Sequence, residues 1–151
     1  MTIALFPGTF DPVTLGHLDI LARAQALFDR VIVVVGVRHD KTTAFTAEER
    51  VAFIRESAPG VEVETFEGLI VDTAHKFGAT VLVRGVRNAM DFEYESQMAI
   101  TNRQLAPEVD TVLLRSEPGA SFISSSLIKE IVKAGGSVER FVPPCVARAL
   151  S

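Results

Sequence analysis

The chain has 151 residues, of which 48% are apolar and 23% are charged, and its formal net charge at pH 7 is −4. This length and composition are typical of a globular protein of one domain, which we expect to span residues 1–151. The mild acidity and the lack of a basic run argue against a dedicated nucleic-acid-binding or membrane-surface protein.

The single cysteine and the N-terminal residues indicate a compartment. Cys145 has no second cysteine with which to form an internal disulfide, which is typical of a reducing environment. The opening MTIALFPG has no positive n-region, and its apolar run is too short for a signal peptide. The apolar run VIVVVGV, at 31–37, is far shorter than a membrane span. We therefore expect a cytoplasmic protein without membrane association.

Short β-branched runs recur along the chain and predict five strands. They are almost continuously apolar, as strands buried on both faces of a parallel sheet are. The predicted strands cover 2–6, 31–37, 61–66, 80–84 and 110–115.

Helical patterns alternate with these strands. Thr46 and Glu49 form a capping-box pattern, and Gly78 is typical of a helix C-terminus. Strict alternation predicts a Rossmann-like, doubly wound α/β domain with a five-stranded parallel sheet. Ligands of such folds bind beyond the carboxyl ends of the strands, where the winding direction reverses. The predicted helices cover 15–28, 47–57, 69–77, about 91–105, a segment from Ser124 to Gly135, and a short segment after VPPC.

The first turn after a strand, FPGTFDPVTLGH at 6–17, is rich in small polar residues. Thr14 is a candidate N-cap, which places Gly16 and His17 among the free N–H groups of the first helical turn. A charged histidine is disfavoured there by the helix dipole, whereas a neutral one beside a phosphate donates a hydrogen bond. The alternative is an ordinary turn followed by an exposed surface histidine.

Four stretches, in order, carry a family resemblance. GTFDPVTLGH resembles the T/H-x-G-H signature of the nucleotidyltransferase superfamily. The stretches at 44–50 (AFTAEER), 84–105 (RGVRNAMDFEYESQMAITNRQL) and 122–131 (FISSSLIKEI) are similar to segments of bacterial phosphopantetheine adenylyltransferases. The resemblance implies the transfer of AMP from ATP to 4′-phosphopantetheine, which gives dephospho-coenzyme A and pyrophosphate. It makes His17 the transition-state stabiliser.

The resemblance also implies an ATP site. Consecutive serines at a helix start suit β- and γ-phosphates, although a simple N-cap needs only one of them. Glu95 is an ATP contact by resemblance, and its alternative is a solvated helical carboxylate. The implied ATP-binding residues are Thr9, Phe10, His17, Gly85, Val86, Arg87, Glu95, Ala120, Ser121, Phe122, Ile123, Ser124, Ser125 and Ser126.

The acceptor site is implied in the same way. Lys41 and Arg84 match the positions that bind the acceptor in the family, and Thr9 is a further implied substrate contact. Lys41 is otherwise an ordinary solvated lysine, whereas Arg84 closes a buried strand and needs a partner. The segment GLI at 68–70 would line the pantetheine arm, Ile70 through its backbone, with Asn102 nearby, although Leu69 and Ile70 also suit a core.

The remaining implications concern cofactors and partners. The three scattered histidines and one cysteine have no metal-ligand spacing, so we expect Mg²⁺ only with ATP. The resemblance implies a homohexamer and feedback inhibition by coenzyme A. Two other functions remain open: a nucleotidyltransferase for another acceptor, such as nicotinamide mononucleotide, and a non-catalytic ATP-binding regulatory module.

Overall fold

The computed structural model describes residues 1–119 and 123–151, and this part of the chain contains the predicted five-stranded parallel sheet. Its strands are β1 (Ile3–Gly8), β2 (Arg30–Gly36), β3 (Glu62–Phe66), β4 (Val81–Val86) and β5 (Asp110–Arg115). Their spatial order is β3-β2-β1-β4-β5. The chain therefore winds outwards from β1 in one direction and then reverses through β4, as the doubly wound prediction requires.

The helices agree with the sequence prediction to within a few residues. Thr14 is the N-cap of the first helix, as predicted, and Thr46 forms the predicted capping box with Glu49. The fourth helix begins two residues earlier than expected because the Asn88 side chain accepts a hydrogen bond from the Asp91 N–H at 2.9 Å. The helices are α1 (Leu15–Leu27), α2 (Ala47–Ser57), α3 (Ile70–Phe77), α4 (Ala89–Leu105), α5 (Ser125–Lys133) and α6 (Pro144–Leu150).

Both faces of the sheet are covered, which explains the continuously apolar strands. In β1, Ala4 and Phe6 belong to a core shared with α1, α2, α5 and α6, whereas Leu5 packs in a second core with α3 and the end of α4. Within the described residues, none of the helices combines the length and the apolarity needed to cross a bilayer.

The sheet opens where the winding direction reverses. Strand β1 pairs with β2 over six residues up to Gly8, but its pairing with β4 covers only Ala4–Val81 and Leu5–Leu82. Beyond Leu5 the two central strands therefore leave a gap at their carboxyl ends. The Arg84 side chain crosses this gap and donates a hydrogen bond to the Pro7 carbonyl.

Candidate functional site

A polar cleft of about 300 Å³ lies at this gap. It is bounded by the turn after β1, the starts of α1 and α5, the loop after β2 and the end of β4. The structure thus brings together residues that are up to about 120 positions apart in sequence. The predicted site residues in its lining are Thr9, Phe10, His17, Lys41, Arg84, Gly85, Arg87, Glu95, Ile123, Ser124, Ser125 and Ser126.

The His17 ring is held by the cap of its own helix. Its Nδ1 atom accepts a hydrogen bond from the Thr14 backbone N–H at 3.0 Å, while the His17 N–H donates to Thr14 Oγ1 at 3.3 Å. Because Nδ1 is used as an acceptor, the neutral ring carries its proton on Nε2. The imidazole is therefore oriented as a hydrogen-bond donor, and the alternative of an exposed surface histidine is wrong.

The environment keeps this ring neutral. Burial, chiefly, together with the positive charges of Arg84 and Arg87, lowers the pKa of His17 to about 4. The edge-to-face contact with the Phe10 ring, at 4.9 Å between centroids, contributes to the desolvation. At neutral pH the His17 imidazole is consequently uncharged, as the dipole argument predicts.

Phe10 shapes the turn that leads to His17. Its side chain is buried between Phe6 and His17, and its backbone has a φ of 50°, in the left-handed region that only a small share of non-glycine residues adopt. A Cβ on Gly8 would lie 2.9 Å from the Phe10 ring, so this packing requires glycine at residue 8. The strained turn is thus fixed by packing beneath the cleft.

Arg84 and Glu95 form a bidentate ion pair in the wall of the cleft. Arg84 Nε and Nη2 donate to the two carboxylate oxygens of Glu95 at 2.9 and 2.7 Å. Glu95 is buried, so its alternative reading as a solvated helical carboxylate is wrong. The pair supplies the partner that Arg84 was expected to need, and it fixes the direction of the guanidinium plane.

Arg87 and Gly85, at the carboxyl end of β4, have different structural roles. Arg87 stands at the exposed rim and is paired with Asp91 through Nε at 2.9 Å. A Cβ on Gly85 would lie 3.1 Å from Ile20, so glycine here lets α1 pack closely against β4. The glycine thus has a packing role in addition to the close ligand approach that the sequence suggested. Val86 is not part of the cleft lining, and its carbonyl accepts the Ser116 N–H.

The three serines at the start of α5, residues 124–126 (the serine turn), have different structural roles. Ser124 is the N-cap of α5, and its Oγ accepts from the Leu127 N–H at 3.1 Å. The Ser125 hydroxyl donates to the Pro12 carbonyl at 2.8 Å and so ties α5 to the turn after β1. Ser126 is exposed in the cleft lining. The predicted contacts of Ala120, Ser121 and Phe122 lie outside the described residues.

A second, more apolar cavity of about 180 Å³ adjoins the cleft. The two share Pro7, Arg84 and Glu95 in their linings. Ile70 and Asn102, both predicted for the pantetheine arm, lie in this cavity with Tyr94 and Met98. Leu69 does not line it; it is the exposed N-cap residue of α3, so the reading of Leu69 as core is wrong.

Comparisons with known proteins bear on what this pair of cavities does. Residues 5–131 match the cytidylyltransferase-like family. Two curated relatives are the phosphopantetheine adenylyltransferases of Levilactobacillus brevis, 50% identical, and Alkalilimnicola ehrlichii, 51% identical. Each alignment covers 99% of this chain and, respectively, 95% and 88% of the relative. The chain belongs to the phosphopantetheine adenylyltransferase family.

A solved structure of low sequence identity shares the fold of this chain. A bifunctional NMN adenylyltransferase/ADP ribose pyrophosphatase from Francisella tularensis superposes with a TM-score of 0.76 at 16% identity. The match covers 99% of this chain and 48% of that protein. At this identity the likeness shows the Rossmann-like nucleotidyltransferase fold alone, and it confirms the predicted fold class.

Sequence reasoning missed three charged residues in or near the cleft. Asp11 and Arg50 are buried, and Lys129 pairs with Asp11 at 3.1 Å. All three fall inside the motifs that carry the family resemblance, yet their partners are up to 118 residues away, where no local pattern points to them. Among the described residues, no three His, Cys, Asp or Glu side chains gather as a metal-ligand set.

Proposed function

We propose that the protein transfers the AMP of ATP to 4′-phosphopantetheine, with dephospho-coenzyme A and pyrophosphate as products. The observation that carries the proposal is a neutral His17 donor in a polar cleft that opens, beside Arg84, into an apolar cavity. The cleft suits a triphosphate, and the apolar cavity suits an uncharged arm. The names of the close full-length relatives support the same activity.

The reaction needs positioned charge rather than a protein nucleophile. An oxygen of the acceptor's phosphate attacks the α-phosphorus of ATP, and the bond from that phosphorus to the bridging β-oxygen breaks as pyrophosphate leaves. The attacking oxygen is already anionic at neutral pH, so no general base is required. The protein's contribution is to align two anions and to stabilise the charge that develops between them.

His17 would serve the transition state. We propose that its Nε2–H donates to an oxygen on the α-phosphorus, where negative charge builds up during transfer. A neutral donor held by the Thr14 cap needs no reorganisation at that moment. Such a group lowers the barrier without strengthening the binding of either substrate.

The remaining ATP contacts would surround the triphosphate and the nucleoside. Arg87 and the serine turn line the cleft, where they would meet the phosphates, and the N-terminus of α5 favours anions. We propose as ATP-binding residues Thr9, Phe10, Gly85, Val86, Arg87, Glu95, Ala120, Ser121, Phe122, Ile123, Ser124, Ser125 and Ser126.

The acceptor would lie across both cavities. We propose that Lys41 and Arg84 hold its terminal phosphate, with Thr9 close by, and that Ile70 and Asn102 contact the arm in the apolar cavity. Leu69 would contribute only from the rim, since it is exposed beside Ile70. Glu95 then acts by orienting Arg84 and by lining both cavities.

Further parts of the proposal concern partners. Mg²⁺ would enter with ATP as its counterion, coenzyme A would inhibit by filling the acceptor's cavity, and the protein would work in the cytoplasm as one domain. A homohexamer is supported by the apolar side chains that α4 exposes, among them Met90, Tyr94 and Ile100, since large exposed apolar faces are typical of subunit contacts.

Pyrophosphate release tests the activity. The purified protein should release pyrophosphate from ATP with 4′-phosphopantetheine but not with pantetheine, which lacks the attacking phosphate. Nicotinamide mononucleotide is the control for the superfamily alternative. Faster release with that nucleotide would overturn the acceptor, and ATP binding without release in any mixture would favour a regulatory module.

A further inference from the structure

The loop between β2 and α2, residues 37–46, carries Lys41 and ends in an unusual anchor at Phe45. The Phe45 ring is buried against Phe53, edge to face, at 5.0 Å between centroids. Its backbone N–H and C=O are both bonded to charged side chains that are themselves buried. The end of this loop is thus held by one ring contact and two hydrogen bonds, four residues after Lys41.

Asp11 supplies the negative half of this anchor. Asp11 is buried, with only 3% of its surface exposed. Oδ1 accepts from the Phe45 N–H at 2.9 Å, and Oδ2 accepts from the Ala44 N–H at 2.8 Å and from Lys129 Nζ at 3.1 Å. Since Asp11 follows Thr9 and Phe10 in the turn after β1, the carboxylate joins this turn directly to the Lys41 loop.

Arg50 supplies the positive half. It is also 3% exposed. Its Nε donates to the Phe45 carbonyl at 3.2 Å, and its Nη1 donates to the carbonyls of Thr9 at 2.8 Å and Gly36 at 2.9 Å. Each of these three partners of Arg50 is a backbone carbonyl. One guanidinium therefore ties together the ends of β1, β2 and the loop.

We propose that Asp11 and Arg50 are positioning residues that set Lys41 relative to the Thr9–Phe10 turn. A buried charge is weak evidence for a stabilising role, because apolar replacement of a whole buried ion pair is often neutral or stabilising. Here both side chains connect the same two segments. The Lys41 loop would hold the acceptor's phosphate, and the Thr9–Phe10 turn would hold the nucleotide. The inference rests on the proposed function, because it gives Lys41 the acceptor. Its consequence is that Asp11, which lies in the cleft lining with both carboxylate oxygens bonded to the loop, and Arg50 act on the alignment of the reacting atoms through Lys41.

Arg50→Lys and Asp11→Asn test the inference. Lysine keeps the charge but loses the fork that reaches three carbonyls, and asparagine keeps the size but loses one acceptor oxygen. We expect each to lower kcat/KM for 4′-phosphopantetheine by about 10- to 100-fold, as small misplacements of reacting groups do, with ATP affinity within a few-fold. Arg55→Lys is the matched control, since Arg55 lies on the same helix and bonds the distant Val63 carbonyl.

A double-mutant cycle with Lys41→Ala separates positioning from general loosening. If the anchor acts through Lys41, Arg50→Lys should cost at most about three-fold more in the Lys41→Ala background. Full additivity of the two losses would overturn the inference and leave the role of Lys41 intact. Normal activity of Lys41→Ala alone would overturn the proposed acceptor contact, and the inference with it.

Thr43→Val keeps the test informative if a buried-charge variant fails to fold. The Thr43 hydroxyl donates to the same Phe45 carbonyl at 2.7 Å from within the loop. Its loss should lower kcat/KM for 4′-phosphopantetheine in the same direction, by a smaller factor, and should be non-additive with Lys41→Ala. An unchanged kcat/KM for Thr43→Val, or a loss fully additive with that of Lys41→Ala, would overturn the inference.

Discussion

The backbone N–H of Thr14 donates to Nδ1 of His17, at 3.0 Å. This bond completes a capping box in which histidine takes the place usually held by glutamate or glutamine. The same bond leaves the proton of the neutral ring on Nε2, pointing its donor away from the cap. The helix start therefore fixes both the orientation and the tautomer of the group that we assign to the transition state.

His17→Gln should separate these two roles. Glutamine at the third helical position can still accept from the Thr14 N–H, so the free energy of unfolding should stay within about 0.5 kcal/mol of the wild type. The variant replaces the Nε2–H that the ring fixes by an amide NH2 donor in a different position, and we expect kcat to fall roughly 10²- to 10³-fold, with both substrate affinities nearly unchanged.

His17→Ala is the comparison for that variant. It should lose the same activity and, in addition, about 0.5–2 kcal/mol of stability from the broken cap. Denaturant unfolding and single-turnover kinetics measure the two effects. Normal turnover by His17→Ala, which has no side-chain donor, would contradict the donor role, and a loss of affinity alone would make His17 a ground-state contact.

The pKa of His17 leads to a prediction on pH. Because its folded pKa, about 4, lies below the unfolded value of 6.5, the unfolded chain binds more protons between these two values. Stability should therefore be fully retained above pH 6.5 and should fall as the pH drops towards 4, by less in His17→Gln. NMR titration of the imidazole should give a midpoint near 4; one near 6.5 would show that the ring is solvated.

The fold could be predicted from sequence because its signals are local. The strand 110–115 and the helix 47–57 match the observed limits of β5 and α2, since apolar runs and a capping box mark them directly. The ion pairs could not be predicted in this way. The partners of Arg84, Arg50 and Asp11 depend on how the strand ends meet at the reversal of the sheet, which no short window of sequence contains.

Alanine substitutions in the serine turn should have different effects at different positions. Ser124→Ala removes the N-cap of α5 and should cost about 1 kcal/mol of stability. Ser126→Ala should leave stability unchanged and weaken the binding of ATP more than that of AMP, because Ser126 is exposed in the cleft lining and we propose that its hydroxyl meets the outer phosphates. Calorimetry with both nucleotides checks this; equal losses for ATP and AMP would remove Ser126 from the β- and γ-phosphates.

The pairing of Arg84 with Glu95 predicts a stability effect as well as a kinetic one. Arg84→Ala leaves the buried Glu95 carboxylate without its cation, and breaking a buried pair from one side costs about 3–5 kcal/mol. The double variant Arg84→Ala/Glu95→Ala should therefore be more stable than Arg84→Ala. Thermal unfolding of the wild type and the three variants measures this coupling, and additive losses would contradict it.

The effect of replacing Arg84 on the KM for 4′-phosphopantetheine tests whether this residue binds the acceptor. Two of its donor groups are used by Glu95 and one by Pro7, and the guanidinium still lines both cavities. A charge-assisted bond to the acceptor's phosphate contributes about 1.5–3 kcal/mol, so its loss should raise the KM for 4′-phosphopantetheine by about 10- to 100-fold. Comparing Arg84→Ala/Glu95→Ala with Glu95→Ala isolates this term from folding. The affinity for ATP should change by no more than a few-fold between them, and an equal rise in KM for both substrates would place Arg84 in the scaffold of the cleft instead of at the acceptor.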